Sequence, residues 1–252
     1  MIRSFRHSFV LALLAIALVV VPVTINVAGT SAANYHWARE QSKFRLRVGD
    51  NVSGNWNKLL RSTLRDWNKN DTVTLDGVGS SSNPRDCRPV TGRVEICNSR
   101  YGTRTGWLGL ARLYFARGGH IDAATVQMND SFLNAGGNKY NTDAARRHTL
   151  CHELGDAIGL DHVTTRSCMN NSQHAVFNYL KPIRSDFRRL NRIYDHRDDG
   201  TTVSSASATS EEFAVSTSLP AEPSGRDATE SVTVQTLEDG REVVTFIVWA
   251  KN

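Results

Sequence analysis

Residues 152–162 read His-Glu-Leu-Gly-Asp-Ala-Ile-Gly-Leu-Asp-His, and several of these residue types can hold a metal ion. On a helix, residues four apart stand one above the other, so His152 and Asp156 can share one ion while Glu153 lies on the adjoining face. Gly159 permits a sharp turn that returns His162 as a third ligand. Three protein ligands leave one coordination position for water, which the metal acidifies and a neighbouring glutamate can deprotonate. The spacing therefore points to metal-assisted hydrolysis.

A helix must carry the first two ligands. Thr142 can cap it, and it is predicted to run through Asp143, Ala144 and Ala145 toward His152 and Ala157, with Gly159 placed to end it in a left-handed conformation. Upstream, Trp56, Leu59, Leu60, Leu64 and Trp67 recur at spacings of three and four, which predicts a packing helix over 55–67. Strand-like runs at 72–75, 93–97, 108–115 and 123–128 are separated by Gly, Asn, Ser and Pro clusters. A further helix is predicted at 185–194, with Phe187, Leu190 and Tyr194 on one face. The body is α+β.

From Gly200 to about residue 230, Ser, Thr, Ala, Glu and Pro dominate, the composition of a flexible linker. Two β-type runs follow, 232–236 and 243–249, on either side of Asp239-Gly240, a strong hairpin signal. An isolated hairpin is marginal in water, so this one is expected to dock on the body or on a neighbour. The expected organisation is an export signal over 1–33, the α+β body over 34–200, a linker over 201–231 and a C-terminal hairpin over 232–252.

Of 252 residues, 40% are hydrophobic and 22% charged, enough apolar material for a core and too little charge for wholesale disorder. Arg3 and Arg6 precede an apolar run over 9–23 and a small-residue stretch ending Ser31-Ala32-Ala33, the pattern of an export signal cleaved after Ala33. Pro22 breaks that run, which is shorter than the roughly 18 residues of a membrane span, so no stable membrane anchor is expected. A secreted, monomeric mature chain is the expectation. Export makes disulfides of Cys87, Cys97, Cys151 and Cys168. Of the three pairings, loop economy favours Cys87 with Cys97 and Cys151 with Cys168.

The net charge is +5, of which residues 1–33 carry +2 and residues 201–252 carry −5, leaving +8 on residues 34–200. That basic body has no helix-turn-helix, zinc-finger or aromatic-interleaved basic motif, so nucleic acid is not an expected partner. Arg184, Arg188, Arg189 and Arg192 read as one solvated helix face. Acidic loops near Asp130 and Asp198-Asp199-Gly200 could hold calcium, though neither follows the EF-hand pattern. His36, His120, His174 and His196 show no ligand spacing and read as surface or packing residues. His148 shares a face with His152 and reads as a solvated or core-edge histidine rather than as a ligand of a displaced ion.

The 152–162 segment resembles the signature of the metzincin zinc peptidases, H-E-x-x-H-x-x-G-x-x-H followed by a methionine turn. His152, Glu153, Gly159 and His162 match four of its five positions, and Met169, within Ser167-Cys168-Met169, resembles the methionine turn. The resemblance covers roughly residues 55–200, takes in Gly106-Trp107-Leu108-Gly109-Leu110, and is closest to bacterial secreted matrixin-like proteins. It implies a zincin domain with a small twisted sheet, one catalytic Zn2+ on His152, Asp156 and His162, and Glu153 as general base. Cys151 precedes the first ligand and Cys168 precedes Met169, so a bond between them would staple the metal helix to the turn. A peptide or protein substrate would be added as an antiparallel strand, beside an edge strand near 121–128.

The departure is Asp156, where the family has its second histidine. A carboxylate oxygen binds zinc at about 2.0–2.2 Å, so the ligand type is acceptable. Its reach from the helix is shorter than that of an imidazole, and its charge offsets part of the charge on zinc, making bound water less acidic. Snapalysins, a related family, accept aspartate at the third ligand position. Three readings follow: a secreted zinc metalloendopeptidase, a catalytically inactive metzincin-like module that binds a peptide or partner, or a structural helix whose Asp156 pairs with Arg146, Arg147 or another basic residue. Serine or cysteine hydrolase chemistry lacks a nucleophile elbow.

Overall fold

The computed structural model describes residues 35–80, 82–203, 230–237 and 239–251. The expected export signal and most of the expected linker lie outside the described residues. Alternation of Phe44, Leu46 and Val48 with Arg45 and Arg47 builds β1 (Phe44–Asn51), an element for which the sequence reading has no counterpart. The apolar face of residues 56–67 forms α1 (Trp56–Trp67) as expected. The strands β2 (Val73–Gly79), β3 (Arg93–Ser99), β4 (Trp107–Phe115) and β5 (Ile121–Asn129) follow. After them come a single turn α2 (Asp130–Leu133), the long α3 (Asp143–Ala157), the short α4 (Ala175–Asn178) and α5 (Arg184–Ile193). The C-terminal strands are β6 (Glu230–Thr236) and β7 (Glu242–Trp249).

Among the described residues all seven strands belong to one twisted sheet of order β2-β1-β3-β5-β4-β7-β6, so the fold is mixed α+β. β1, β2, β3 and β5 run parallel to their neighbours in this set, whereas β4 is antiparallel to both β5 and β7. The expectation of an edge strand at 121–128 is corrected here. β5 is hydrogen-bonded on both sides, with Ala124 opposite Val94 of β3 and Val126 opposite Ala111 of β4. Its short apolar pattern reports that it is buried and carries no record of which strands flank it. The free edges among the described strands are β2 and β6. The hairpin docks by pairing β7 along β4, with Phe246 opposite Ala111 and Val248 opposite Gly109.

α3 packs on β4 and β5 and against α1, and from Ala145 onward nearly every side chain is buried. The indole of Trp67 at the end of α1 donates to the Cys151 carbonyl at 3.2 Å. At the far end of α3, where carbonyls lack partners within the helix, Trp37 Nε1 donates to Ala157 O at 3.0 Å and the Tyr194 hydroxyl to Ile158 O at 3.1 Å. Burial raises the pKa of that phenol well above its ordinary value, so it keeps its donor proton. Thr142 caps the first turn, its side chain accepting from the Ala145 N–H as expected. No helix among the described residues is long and apolar enough to cross a membrane.

Cys87 pairs with Cys97 and Cys151 with Cys168, each with Cα atoms 5.9 Å apart, the pairing that loop economy favoured. The second bond closes a loop of 17 residues between α3 and the segment carrying Met169. Replacing Cys151 and Cys168 together by alanine is expected to lower stability by about 3 kcal/mol, the loop-entropy value for a loop of this size, read as a shift of the urea midpoint.

Candidate metal centre

His152, Glu153 and Asp156 all have 0% exposure, although they are among the most polar groups of α3. Four-residue spacing sets His152 and Asp156 on one stripe, with His152 Nε2 3.7 Å from Asp156 Oδ2. The helix ends at Ala157, and Gly159 takes a left-handed φ of 91°. No side chain fits at that position, since a Cβ there would collide with the Tyr35 carbonyl. The chain then turns back and brings His162 Nε2 to 3.2 Å from Asp156 Oδ1, with its ring stacked on His152 at a centroid distance of 5.0 Å. One donor atom from each of the three residues lies within 4.8 Å of the others. Tetrahedral zinc with bonds of about 2.0–2.1 Å separates its ligand atoms by about 3.3 Å, so the donor set fits that ion without rebuilding the helix. Asp156 turns one carboxylate oxygen toward each histidine, Oδ2 toward His152 and Oδ1 toward His162.

The imidazole of His152 is set by its outer partner. Its Nδ1 lies 2.7 Å from the Cys168 carbonyl, which can only accept, so Nδ1 carries the hydrogen and Nε2 presents a lone pair toward Asp156. The carbonyl is held by the Cys151–Cys168 disulfide from one side and from the other by the hydrogen bond that the Cys168 N–H donates to the Lys181 carbonyl at 3.0 Å. Met169 follows, fully buried, with its thioether against α3 where Gly155 leaves no side chain; a Cβ at 155 would overlap its sulfur. Gly109 plays the matching part on β4. A Cβ at that position would lie 2.7 Å from Glu153 Oε1 and 2.5 Å from Thr149 Cγ2, so only glycine lets the helix and its glutamate come this close to the strand.

The centre is covered from the side of β7. Phe246 stands edge-on to His162 with ring centroids 5.9 Å apart, and the His162 side chain keeps 17% exposure. β7 thus occupies the place beside Gly109–Ala111 that an added peptide strand would need.

Other expected groups fall elsewhere. His148 is 1% exposed, so it is neither solvated nor at the core edge; its Nδ1 lies 2.7 Å from the Tyr179 carbonyl, and it is outside the His152–Asp156–His162 set. Arg146 does not serve Asp156. It lies ten residues, about 15 Å of helix, away, and its guanidinium holds Asp143, Asn141 and the Leu133 carbonyl. Calcium near Asp130 is not supported by its surroundings, because its carboxylate receives Trp56 Nε1 at 2.8 Å and the side-chain amides of Asn98 and Asn134. Sequence reasoning missed Gly109 and Gly155 as contact positions and Phe246 as the cover. For Gly109 the one signal was its place between Leu108 and Leu110 in a strand. Phe246 lies 84 residues beyond His162 in the chain and had none.

No family model matches this chain, and no curated protein matches it. Two solved structures are similar to it. Archaemetzincin from Archaeoglobus fulgidus, complexed with malonate, is 11% identical at a TM-score of 0.34, covering 58% of this chain and 99% of that one. High choriolytic enzyme 1, a hatching enzyme zinc-protease from the medaka fish Oryzias latipes, is 12% identical at a TM-score of 0.35, covering 69% of this chain and 100% of that one. Both likenesses are too distant to carry a function to this chain.

Gly109→Ala is expected to destabilise the protein by about 1–3 kcal/mol, the cost of overpacking a filled contact. Gly136→Ala, at a position where a Cβ meets nothing within 4 Å, should leave the urea midpoint nearly unchanged.

Proposed function

We propose that this chain is a secreted zinc-dependent metalloendopeptidase, with the ion held by His152, Asp156 and His162 and with Glu153 as general base. The observation that supports this reading is the convergence of three ligand-type atoms within 4.8 Å beside a fully buried glutamate. Four of the five metzincin signature positions are met, by His152, Glu153, Gly159 and His162. The pattern of residues 1–33 and the two disulfides support export.

Zinc bound there supplies a Lewis acid for the scissile carbonyl and lowers the pKa of water. The chain's own residues then divide the work. Cys168 O holds the His152 tautomer that offers Nε2. Glu153, next to His152 and pressed toward β4, is placed to take a proton from water and pass it to the leaving amine. In the balanced step water gives hydroxyl to the acyl carbon and a proton to nitrogen as the C–N bond breaks. Asp156 brings a negative charge where a histidine would be neutral, so optimum activity lies at higher pH than in a three-histidine site. A peptide substrate lies extended beside β4 near Gly109, in the place that β7 now holds, so β7 yields during binding.

A non-catalytic peptide- or partner-binding module is the second reading, favoured by the complete burial of His152, Glu153 and Asp156 and by Phe246 over His162. Zinc content and casein hydrolysis of purified protein separate the two. The peptidase is expected to hold zinc at this centre and cleave casein, Glu153→Gln to keep that ion but lose about 10²–10⁴-fold in rate, and Asp156→Ala to lose both the ion of this centre and cleavage. Phe246→Ala should raise the rate by thinning the cover. Zinc that Asp156→Ala removes, with no cleavage by wild type or Phe246→Ala, favours the binding module. Zinc content that Asp156→Ala leaves unchanged, with no cleavage in wild type and both a further ion and cleavage gained by Asp156→His, rules the peptidase out.

A further inference from the structure

Three histidines that the sequence left as surface or packing residues meet around one carboxylate. His36 stands in the N-terminal segment, His120 in the turn between β4 and β5, and His196 and Asp198 just beyond α5. Asp198 Oδ2 accepts the Arg39 N–H at 2.9 Å, which leaves Oδ1 facing the imidazoles. His36 Nε2 lies 3.4 Å from Oδ1, His120 Nε2 3.2 Å and His196 Nε2 3.4 Å. His36 Nε2 and His196 Nε2 are themselves 3.1 Å apart. These separations are the edges of a tetrahedron about a first-row metal, about 3.3 Å for zinc bonds of 2.0–2.1 Å.

One ligand-type atom each from His36, His196 and Asp198 lies within 4.8 Å of the others. In the triangle of His36 Nε2, His196 Nε2 and Asp198 Oδ1, each nitrogen can direct at most one hydrogen, and the carboxylate has none. If both nitrogens donate to Asp198, two N–H groups face each other across 3.1 Å. If one donates to the other, a lone pair faces the carboxylate oxygen. A cation inside the triangle satisfies all three edges at once. A cavity of ≈ 460 Å³ opens beside His120, Asp198, Asp199 and Thr201, giving an ion a way in.

We propose that His36, His196 and Asp198 form a second divalent-metal site of the imidazole-carboxylate, zinc-binding type, with His120 beside it against the same carboxylate oxygen. The ion ties together three segments far apart in the chain. It also acts on the end of α3, because Trp37 next to His36 holds the Ala157 carbonyl, and Tyr194, two residues before His196, holds that of Ile158. Its role is structural, and it does not depend on what His152, Asp156 and His162 do.

The test is metal stoichiometry and thermal shift on residues 34–252, stripped with chelator and refilled with Zn2+, with Co2+ as a spectroscopic probe. An Asp156→Ala/His162→Ala variant, disabled at the first centre, is expected to retain about one ion per chain, to gain thermal stability on adding Zn2+, and to show the intense visible absorption of tetrahedral Co2+. Adding His196→Ala to that background, a change at a side chain 46% exposed, should abolish all three signals, and Asp198→Asn should weaken Zn2+ binding at least tenfold. No ion and no Zn2+-dependent shift in the Asp156→Ala/His162→Ala variant, while it remains folded by circular dichroism, overturns the second site. If wild type binds one ion that His196→Ala removes and Asp156→Ala does not, the second site stands and the peptidase reading fails.

Discussion

Taking a carboxylate out of water costs several kcal/mol unless the protein compensates it, and α3 withdraws two carboxylates within one turn, Glu153 and Asp156, together with the imidazole of His152. Such a helix holds its place only if its surroundings supply what water no longer does. The Cys168 carbonyl takes the Nδ1–H of His152, and His162 folds back onto Asp156. The disulfide between Cys151 and Cys168 keeps the carbonyl from drifting away. The same need for close approach explains two glycines. At Gly109 the strand comes up to Glu153 and Thr149, and at Gly155 the helix receives the thioether of Met169.

The sheet gives this helix a floor and then closes over its open side. β4 lies antiparallel between β5 and β7, so the row of backbone groups facing the centre is already paired with the C-terminal hairpin. Pairing hides an exposed edge that would otherwise invite association with other chains, and it sets Phe246 over His162. The hairpin contributes apolar cover on both faces of the sheet. Val244, Phe246 and Val248 join the main core, while Ile247 and Trp249 pack with Trp107 and Leu110 on the opposite side. Stability and access to the centre therefore oppose one another at the same strand.

The C-terminal end of α3 is where the two histidine clusters are mechanically joined. Trp37 and Tyr194 bond to successive carbonyls there, the Trp37 N–H also donates to the Tyr194 hydroxyl at 3.2 Å, and His36 and His196 extend from the same two segments. The turn through Gly159 packs on the first of these segments, against the Tyr35 carbonyl.

Periodicity and local spacing carried much of this protein. The threefold and fourfold recurrence from Trp56 to Trp67 places α1 within a residue of where it lies, and Thr142 marks the start of α3. α3 itself has no polar face, so its recognition came from its cap and its ligand spacing. β1 escaped because its Phe44-Leu46-Val48 alternation is short and runs into Gly49-Asp50-Asn51, residues that read as a turn. The sequence by itself determined the gathering of His152, Asp156 and His162, since helix geometry and one glycine bring together residues at most ten positions apart. It could not determine that residues 121–128 lie inside the sheet, that β7 covers β4, or that His36, His120 and His196 meet at Asp198. Those contacts join positions separated by up to 162 residues, and side chains that distant become neighbours only through the packing of the whole chain.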